Sequence, residues 1–510
     1  MWAHWSRGES TTTLRAVDPA WSSPVDELCR VWCAASAPQA SGRPGSGASM
    51  SALRLSRRIK AARARYALAR RRLPVRRSPA GWLQHVRRDS LLRNSLYIMT
   101  TTIVNSAFGY LFWLILARAY SAANVGLAAA VVAAGTIIAI LACTGVGSTL
   151  VQSLPRQKSS TDWSRTFWTG AATASATSVL MVCVVLVVLP AVSTEFRVLD
   201  GPAYIAIFAL GAVTSALGTV LDYAYVAERA AANMLARNSV VAGGKVLIIA
   251  LAALTLARTV LPILDAWALS ATLGVLTGAW LLLRRARLLR PPNAVVLTRL
   301  GRELLSGFVG NQLIGLGGGI PPLLLPLLVT ARLSAQDDAY FYATWMMCGV
   351  LLIISPAVAT SLFAEGVHSP RELRAKAVSA LGILVGLLIP AMIGFFLLGG
   401  LLLSTFGTEY ARHATGLLQL IVLSAVPDAI TNIYVSALRV QHRLARAARL
   451  NLGMGLGTLV VSWLLLPGLG IVAVGWAWLG MQVAGCVYVA VDFIRQRDHV
   501  GHPRINPGSV

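Results

Sequence analysis

Apolar positions dominate this chain from about residue 94 onward, in runs of roughly 20 that are separated by short polar breaks. A run of that length crosses the hydrocarbon core of a bilayer as one helix. The pattern predicts about twelve spans, at roughly 94–118, 125–153, 165–190, 202–226, 238–257, 262–283, 304–330, 338–363, 377–403, 413–437, 450–466 and 470–493. Short segments of alternating hydrophobicity, the mark of a membrane β-barrel, are absent. The expected fold is all-α and polytopic.

The breaks between spans alternate in charge. One set holds Arg156, Lys158 and Arg165; Arg229 and Arg237; an arginine cluster; Arg371, Arg374 and Lys376; and Arg439, Arg443, Arg446 and Arg449. The cluster is Arg284, Arg285, Arg287, Arg290, Arg299 and Arg302 around Pro291-Pro292. The other set holds few basic residues, Arg118, Arg197, Arg258, Arg332 and Arg412, together with Glu195, Asp200, Asp265, Asp337, Asp338 and Glu409. Lys and Arg collect in cytoplasmic loops, so the first set is placed inside and both termini are expected in the cytoplasm. The outside loops, roughly 5–15 residues long, leave no room for a catalytic domain.

Composition agrees with this reading. Of 510 residues 56% are hydrophobic and 13% charged, half the charged share of a soluble domain. The net charge of +25 sits in the first 93 residues and in alternate loops, so membrane topology rather than nucleic acid accounts for it. Residues 1–93 form a basic cytoplasmic tail. Its first 49 are rich in Ser, Ala, Pro and Gly and predict disorder, and Met50 is an alternative start. Residues 51–73 suit a basic helix on a surface of anionic membrane lipids. Two bundles follow, 94–283 and 304–495, joined by the basic linker 284–303 and ended by a tail at 496–510. The six cysteines are scattered and form no metal or disulfide pattern.

The two bundles echo each other at an offset of about 210–214 residues. Ala117-Arg118 answers Ala331-Arg332, Val226-Ala227-Glu228-Arg229 answers Ser436-Ala437-Leu438-Arg439, and Asp222 falls opposite Asn432. Six spans per bundle gives both the same orientation, hence parallel pseudo-repeats around a central cavity suited to alternating access.

Phosphate loops, zinc-protease motifs and nucleophile elbows are absent, so neither an enzyme nor a bound cofactor is expected. Candidate chemistry lies in polar groups inside spans, each costing on the order of 2.5–3.5 kcal/mol at mid-bilayer. Asp428, about ten residues into the tenth span, reaches roughly 15 Å depth; Lys245, in the fifth, roughly 10 Å. Asp222 is shallower. Each is a candidate for substrate or proton coupling, with structural pairing as the competing role. Asn311 and Gln312 open the seventh span, where Gly315, Gly317, Gly318, Gly319, Pro321, Pro322 and Pro326 predict a bent or interrupted gating helix. Close packing through small residues is the alternative there. Arg118 and Arg332, at matching outer ends, are candidates to attract an anionic group or to anchor at the interface.

Asn94 opening the first span, Ala117-Arg118 closing it, Val125-Gly126 after a short loop, and Ser153-Leu154-Pro155 ending the second span carry a resemblance. With the doubled six-helix plan they resemble polysaccharide flippases of the multidrug/oligosaccharidyl-lipid/polysaccharide exporter superfamily, over roughly residues 90–495. The resemblance implies transfer of undecaprenyl-pyrophosphate-linked oligosaccharide between leaflets of the cytoplasmic membrane, alongside polymerase and ligase machinery. It also implies a cationic cavity, with Lys245 the best-placed charge and Arg118 and Arg332 behind it. The scarcity of in-span cations and the long basic extension depart from that pattern. A cation-coupled multidrug exporter of the same superfamily and a flippase for the peptidoglycan lipid precursor are the alternatives.

Overall fold

The computed structural model describes residues 90–157, 159–254, 258–284, 310–368 and 373–501. The N-terminal tail, the arginine linker and the last nine residues of the chain lie outside this set. The described residues belong to one compact unit.

That unit is helical, with no strand among the described residues. We number the helices α1 Ser90–Ala119, α2 Ala122–Cys143, α3 Val146–Ser153, α4 Ser160–Val192, α5 Pro202–Ala227, α6 Ala231–Ala253 and α7 Leu261–Leu283. The second half holds α8 Gly310–Arg332, α9 Ala335–Leu352, α10 Ile354–His368, α11 Leu373–Ser404, α12 Thr408–Val440, α13 Leu444–Leu469 and α14 Val472–Gly501. Among the described residues, 11 spans are long and apolar enough to cross a membrane. The apolar part of α8, Leu316–Arg332, is shorter. This is the expected polytopic fold.

Two of the predicted spans are each built from two helices. The 125–153 run divides at Gly145, whose φ of 84° only glycine adopts easily. The 338–363 run divides at Ile353, two residues before Ser355-Pro356. Pro356 has no N–H to return to the Leu352 carbonyl, which loosens the turn there. The breaks fall at matching places in the two halves.

Packing follows the same plan in both halves. In the first, α1 lies on α6, α6 on α7, α7 on α5, and α5 on α2 and α4. In the second, α8 lies on α13, α13 on α14, α14 on α12, and α12 on α9, α10 and α11. The halves meet chiefly through α2, which packs on α9 and α8. The approach of α2 to α9 is close: a Cβ on Gly126 would lie 1.7 Å from the Ala335 carbonyl oxygen. Beyond the breaks, α3 turns onto α4 and α5, and α10 onto α11 and α12.

Counting α8 with those 11 spans makes twelve crossings, so α1 begins and α14 ends at the same face, here called the terminal face. Arg118, Ala335 and Thr405 lie toward the opposite face. There Trp113, Val125, Ala339, Tyr342, Phe406 and Tyr410 from both halves surround a small apolar gap. Trp113 leans on Tyr342 at 4.5 Å between ring centroids, and Tyr110 meets Phe406 edge-on at 5.4 Å. Aromatic pairs at such distances each contribute about 0.5–1.5 kcal/mol beyond area burial. Together they close this face.

Three sequence expectations change. Arg237, placed in a loop, lies inside α6, which begins at Ala231 rather than near 238. Asp337 and Asp338, placed in an outside loop, form the first turn of α9 behind the Ser334 cap, and Asp338 is wholly buried. Acids favour helix N-termini, so a sequence pattern cannot separate a loop acid from a capping-turn acid. Of the bend or interruption expected in the seventh span, the interruption does not appear: α8 runs as one helix from Gly310 to Arg332, with Pro321, Pro322 and Pro326 inside it.

Candidate substrate cavity

A cavity of about 160 Å³ lies at the level of the α2–α3 break. Ile140, Cys143, Thr144 and Ser148 line it from α2, the break and α3, Thr219 and Tyr223 from α5, and Leu316, Gly319 and Ile320 from α8. It thus sits where the first half faces the second. Gly147 allows the Tyr223 ring to press against α3, because a Cβ there would be 2.4 Å from the ring. The Thr144 hydroxyl donates to the Ile140 carbonyl at 2.6 Å, that of Ser148 to Gly145 at 3.0 Å and that of Thr219 to Ser215 at 3.0 Å. Each donor is spent on its own helix, and each oxygen keeps lone pairs for a visitor. Among the described residues the lining is hydroxyl and apolar, with no charged residue. At this size the cavity holds only a fragment, since drug-sized ligand pockets run to about 300–1,000 Å³.

Beside it lies a buried ion pair. Arg237 Nε donates to Asp222 Oδ1 at 3.1 Å and Nη2 to Oδ2 at 2.8 Å. Asn238 donates to both carboxylate oxygens at 3.1 and 3.3 Å and to none of the cavity groups. The guanidinium fits only because its neighbours are glycines: a Cβ on Gly218 would fall 2.5 Å from Nη1, and one on Gly278 3.2 Å from Cδ. Sequence reading found the acid but not its partner.

Lys245 projects from α6 with Nζ 5.7 Å from the centre of the Phe112 ring of α1. That is within cation–π range. It makes no ion pair among the described residues. Asp428, on α12 next to Pro427, is buried and accepts from Gln482 Nε2 of α14 at 3.3 Å. Its carbonyl accepts from Thr431 at 2.9 Å, Asn432 at 3.0 Å and Ser355 at 3.4 Å. Ser355 opens α10 just past the second break, so this network ties the break to α12 and α14. Asp222, Lys245 and Asp428 form no hydrogen bond or ion pair with one another among the described residues, so the structure does not gather them into one site.

The glycines of α8 divide by task. Gly317 packs against α13, where a Cβ would be 2.9 Å from Leu452 N, and Gly455 returns the contact onto Pro321 and the Gly317 carbonyl. Small residues permit this close crossing. Gly319 has open space and faces the cavity. Asn311, Gln312 and Gly315 lie on the first turns of α8, but their side chains are outside the described set. Arg118 and Arg332 differ although their positions match. Arg118 crosses to the second half, donating to the carbonyls of Thr405 at 2.8 Å and Ser404 at 3.4 Å. Arg332 lies over the Trp463 ring at 4.3 Å.

The comparisons bear on this architecture. Residues 91–314 match the family described as "Polysaccharide biosynthesis protein". No curated protein matches the sequence. A solved structure titled "Lipid II flippase MurJ, inward closed conformation" superposes with TM-score 0.65 at 10% identity, covering 78% of this chain and 87% of that one. A multidrug resistance MATE family transporter of the MOP superfamily, in an inward-facing conformation, superposes with TM-score 0.59 at 14% identity, over 77% of this chain and 94% of its own. The chain shares the fold of these two proteins. A MOP superfamily transporter from Pyrococcus furiosus, whose title reports reverse polarity of its binding pocket, follows at TM-score 0.54 and 15% identity, over 81% and 95% of the two chains. These identities carry the fold alone; here it holds a hydroxyl-lined cavity whose described lining has no charged residue.

Proposed function

We propose that this protein moves a polyprenyl-pyrophosphate-linked oligosaccharide across the cytoplasmic membrane by alternating access, in the service of surface polysaccharide synthesis. The observation that carries the reading is the match of residues 91–314, essentially the first half with its cavity-lining α2, α3 and α5, to a polysaccharide biosynthesis family. The fold supports a transporter, and the lining is compatible with a sugar: hydroxyl lone pairs can accept from glycan hydroxyls and the Tyr223 ring offers a face for a sugar to stack on. The basic loops support a cytoplasmic terminal face. In that orientation the closed face is the outer one, and the cavity lies on the cytoplasmic side of the α2–α9 contact. A whole lipid-linked glycan needs more room than about 160 Å³, so loading requires the halves to part further. Lys245 is the cation proposed to meet the pyrophosphate, and polymerase and ligase enzymes are the proposed consumers on the far side.

Asp428 favours a second reading. A buried carboxyl whose partner is an amide, with no cation paired to it among the described residues, suits coupling to an ion gradient, as in a drug exporter. The discriminating experiment reconstitutes the protein in liposomes with a fluorescent polyprenyl-pyrophosphate oligosaccharide and follows its protection from a membrane-impermeant quencher. Transfer that needs this chain supports the flippase. No transfer of the glycolipid, with gradient-driven efflux of a cationic dye instead, supports the exporter.

A further inference from the structure

One buried group plays no part in the cavity. Asp338 is 0% exposed, and neither of its carboxylate oxygens has a hydrogen-bond partner among the described residues. Thr330, one helix back on α8, is also 0% exposed, interacts with the Asp338 carboxyl and yet completes no hydrogen bond. Tyr342 follows one turn later on α9. Its ring packs on Trp113 of the other half, next to the gap lined by Val125 and Ala339. Asp338 therefore sits directly behind the contact of Gly126 with Ala335 and Ala339 that joins the halves.

The charged and titratable groups around it are few. On its own helix Asp337 is the acting charge, itself held by Ser334 at 2.6 Å. From α8 come Thr330 and Arg332, the latter committed to Trp463. From α12 come Tyr410 and the exposed pair Glu409–His413, with His413 stacked on Tyr340. From α1 comes Arg118, committed to backbone carbonyls. The α2 sequence, Ala122–Cys143, has no charged residue. No described cation pairs with Asp338. An ionised carboxylate without donors is far too costly to bury, whereas a protonated one loses only a neutral group's hydration.

We propose that Asp338, with Thr330 and Tyr342 beside it, is a proton-binding site that latches the opposite face: neutral while α2 and α9 are in contact, ionised once their separation admits water. The proton passes between the carboxyl and the solution at that face, and no other group changes oxidation or bonding. The open state binds one proton fewer, so raising the pH favours opening, with the open-to-closed ratio rising by up to about tenfold per pH unit. This property belongs to the chain with or without cargo and stands apart from the reading of its substrate.

The test uses the full chain in lipid nanodiscs, spin-labelled at the exposed positions Ala123 and Gln336 through Ala123→Cys and Gln336→Cys, with distances recorded by double electron–electron resonance from pH 5 to 9. The long-distance population should grow several-fold as the pH rises. Asp338→Asn should remain closed across the range, and His413→Gln should keep the wild-type response. Asp338→Glu, which retains an acid, should respond with a displaced midpoint and serves if the Asn variant fails to insert. An unaltered response in Asp338→Asn, an unmoved midpoint in Asp338→Glu, loss of the response in His413→Gln, or a population that follows sodium at fixed pH would each overturn the proposal.

Discussion

The Asp222–Arg237 pair offers the sharpest energetic prediction. The Arg237 side chain is 7% exposed and that of Asp222 22%, and four hydrogen bonds join the carboxylate to Arg237 and Asn238. Asp222→Ala removes both carboxylate acceptors and leaves the guanidinium among glycines with Asn238 Oδ1, at 3.0 Å, as its remaining described acceptor. Breaking one partner of a buried pair costs about 3–5 kcal/mol. Arg237→Met should cost less: the carboxylate is the more exposed partner, it keeps the Asn238 amide, and the methionine stem fills the space beside Gly218 and Gly274. The double variant Asp222→Ala/Arg237→Met leaves no charge stranded and should recover most of the loss, giving a coupling of about 2–3 kcal/mol. The assay is denaturation of the four proteins in mixed micelles, read by tryptophan fluorescence. Additive losses in the double variant, or an Asp222→Ala protein as stable as the parent, would refute the claim that the pair is closed and buried.

Other outcomes follow from single contacts. Gly126→Ala drives a methyl into the Ala335 carbonyl, so it should hold the halves apart and raise cysteine labelling several-fold at Ala339→Cys, a position buried in the α2–α9 contact; unchanged labelling contradicts the closed opposite face. Gly317→Ala should lower thermal stability by wedging α8 off Leu452, whereas Gly319→Ala, in open space, should leave stability unchanged and slow transport by narrowing the cavity. Equal behaviour of the two would show that α8 does not divide its glycines between packing and cavity. Lys245→Ala should reduce glycolipid transfer about tenfold or more with normal insertion, and Lys245→Arg should restore much of it; full transfer by the Ala variant removes Lys245 from the path. Asp428→Asn should flatten the dependence of transport on a proton gradient, while an identical gradient dependence assigns Asp428 to structure.

The spans were legible because a bilayer demands about 20 apolar residues wherever a helix crosses, and that demand leaves the same trace in any sequence. The doubled plan was legible too, since matching span ends such as Ala117-Arg118 and Ala331-Arg332 survive in the chain. What lay hidden were features set by tertiary contact. A Thr-Gly pair is tolerated inside a span, so Gly145 gave no sign of its positive φ. Arg237 at the edge of an apolar run reads the same whether it faces water or Asp222. Asp338 reads as a loop acid until it is seen to be buried in the first turn of α9 beside Thr330 of α8. Glycines bordering Arg237, at 218, 274 and 278, were the one signal that a large side chain needed room. Asp428 was visible as an acid ten residues deep, yet its partners Gln482 and Ser355 come from helices that sequence spacing does not relate.

The central claim, that the cargo is a polyprenyl-linked oligosaccharide, meets its most direct test in a strain lacking the gene. Polyprenyl lipids would be extracted and analysed by mass spectrometry, with surface polysaccharide stained in parallel. The account predicts accumulation of one polyprenyl-pyrophosphate oligosaccharide, loss of the matching surface glycan, and rescue of both by the intact gene. Unchanged lipids and surface glycan, together with new sensitivity to cationic drugs, would contradict it.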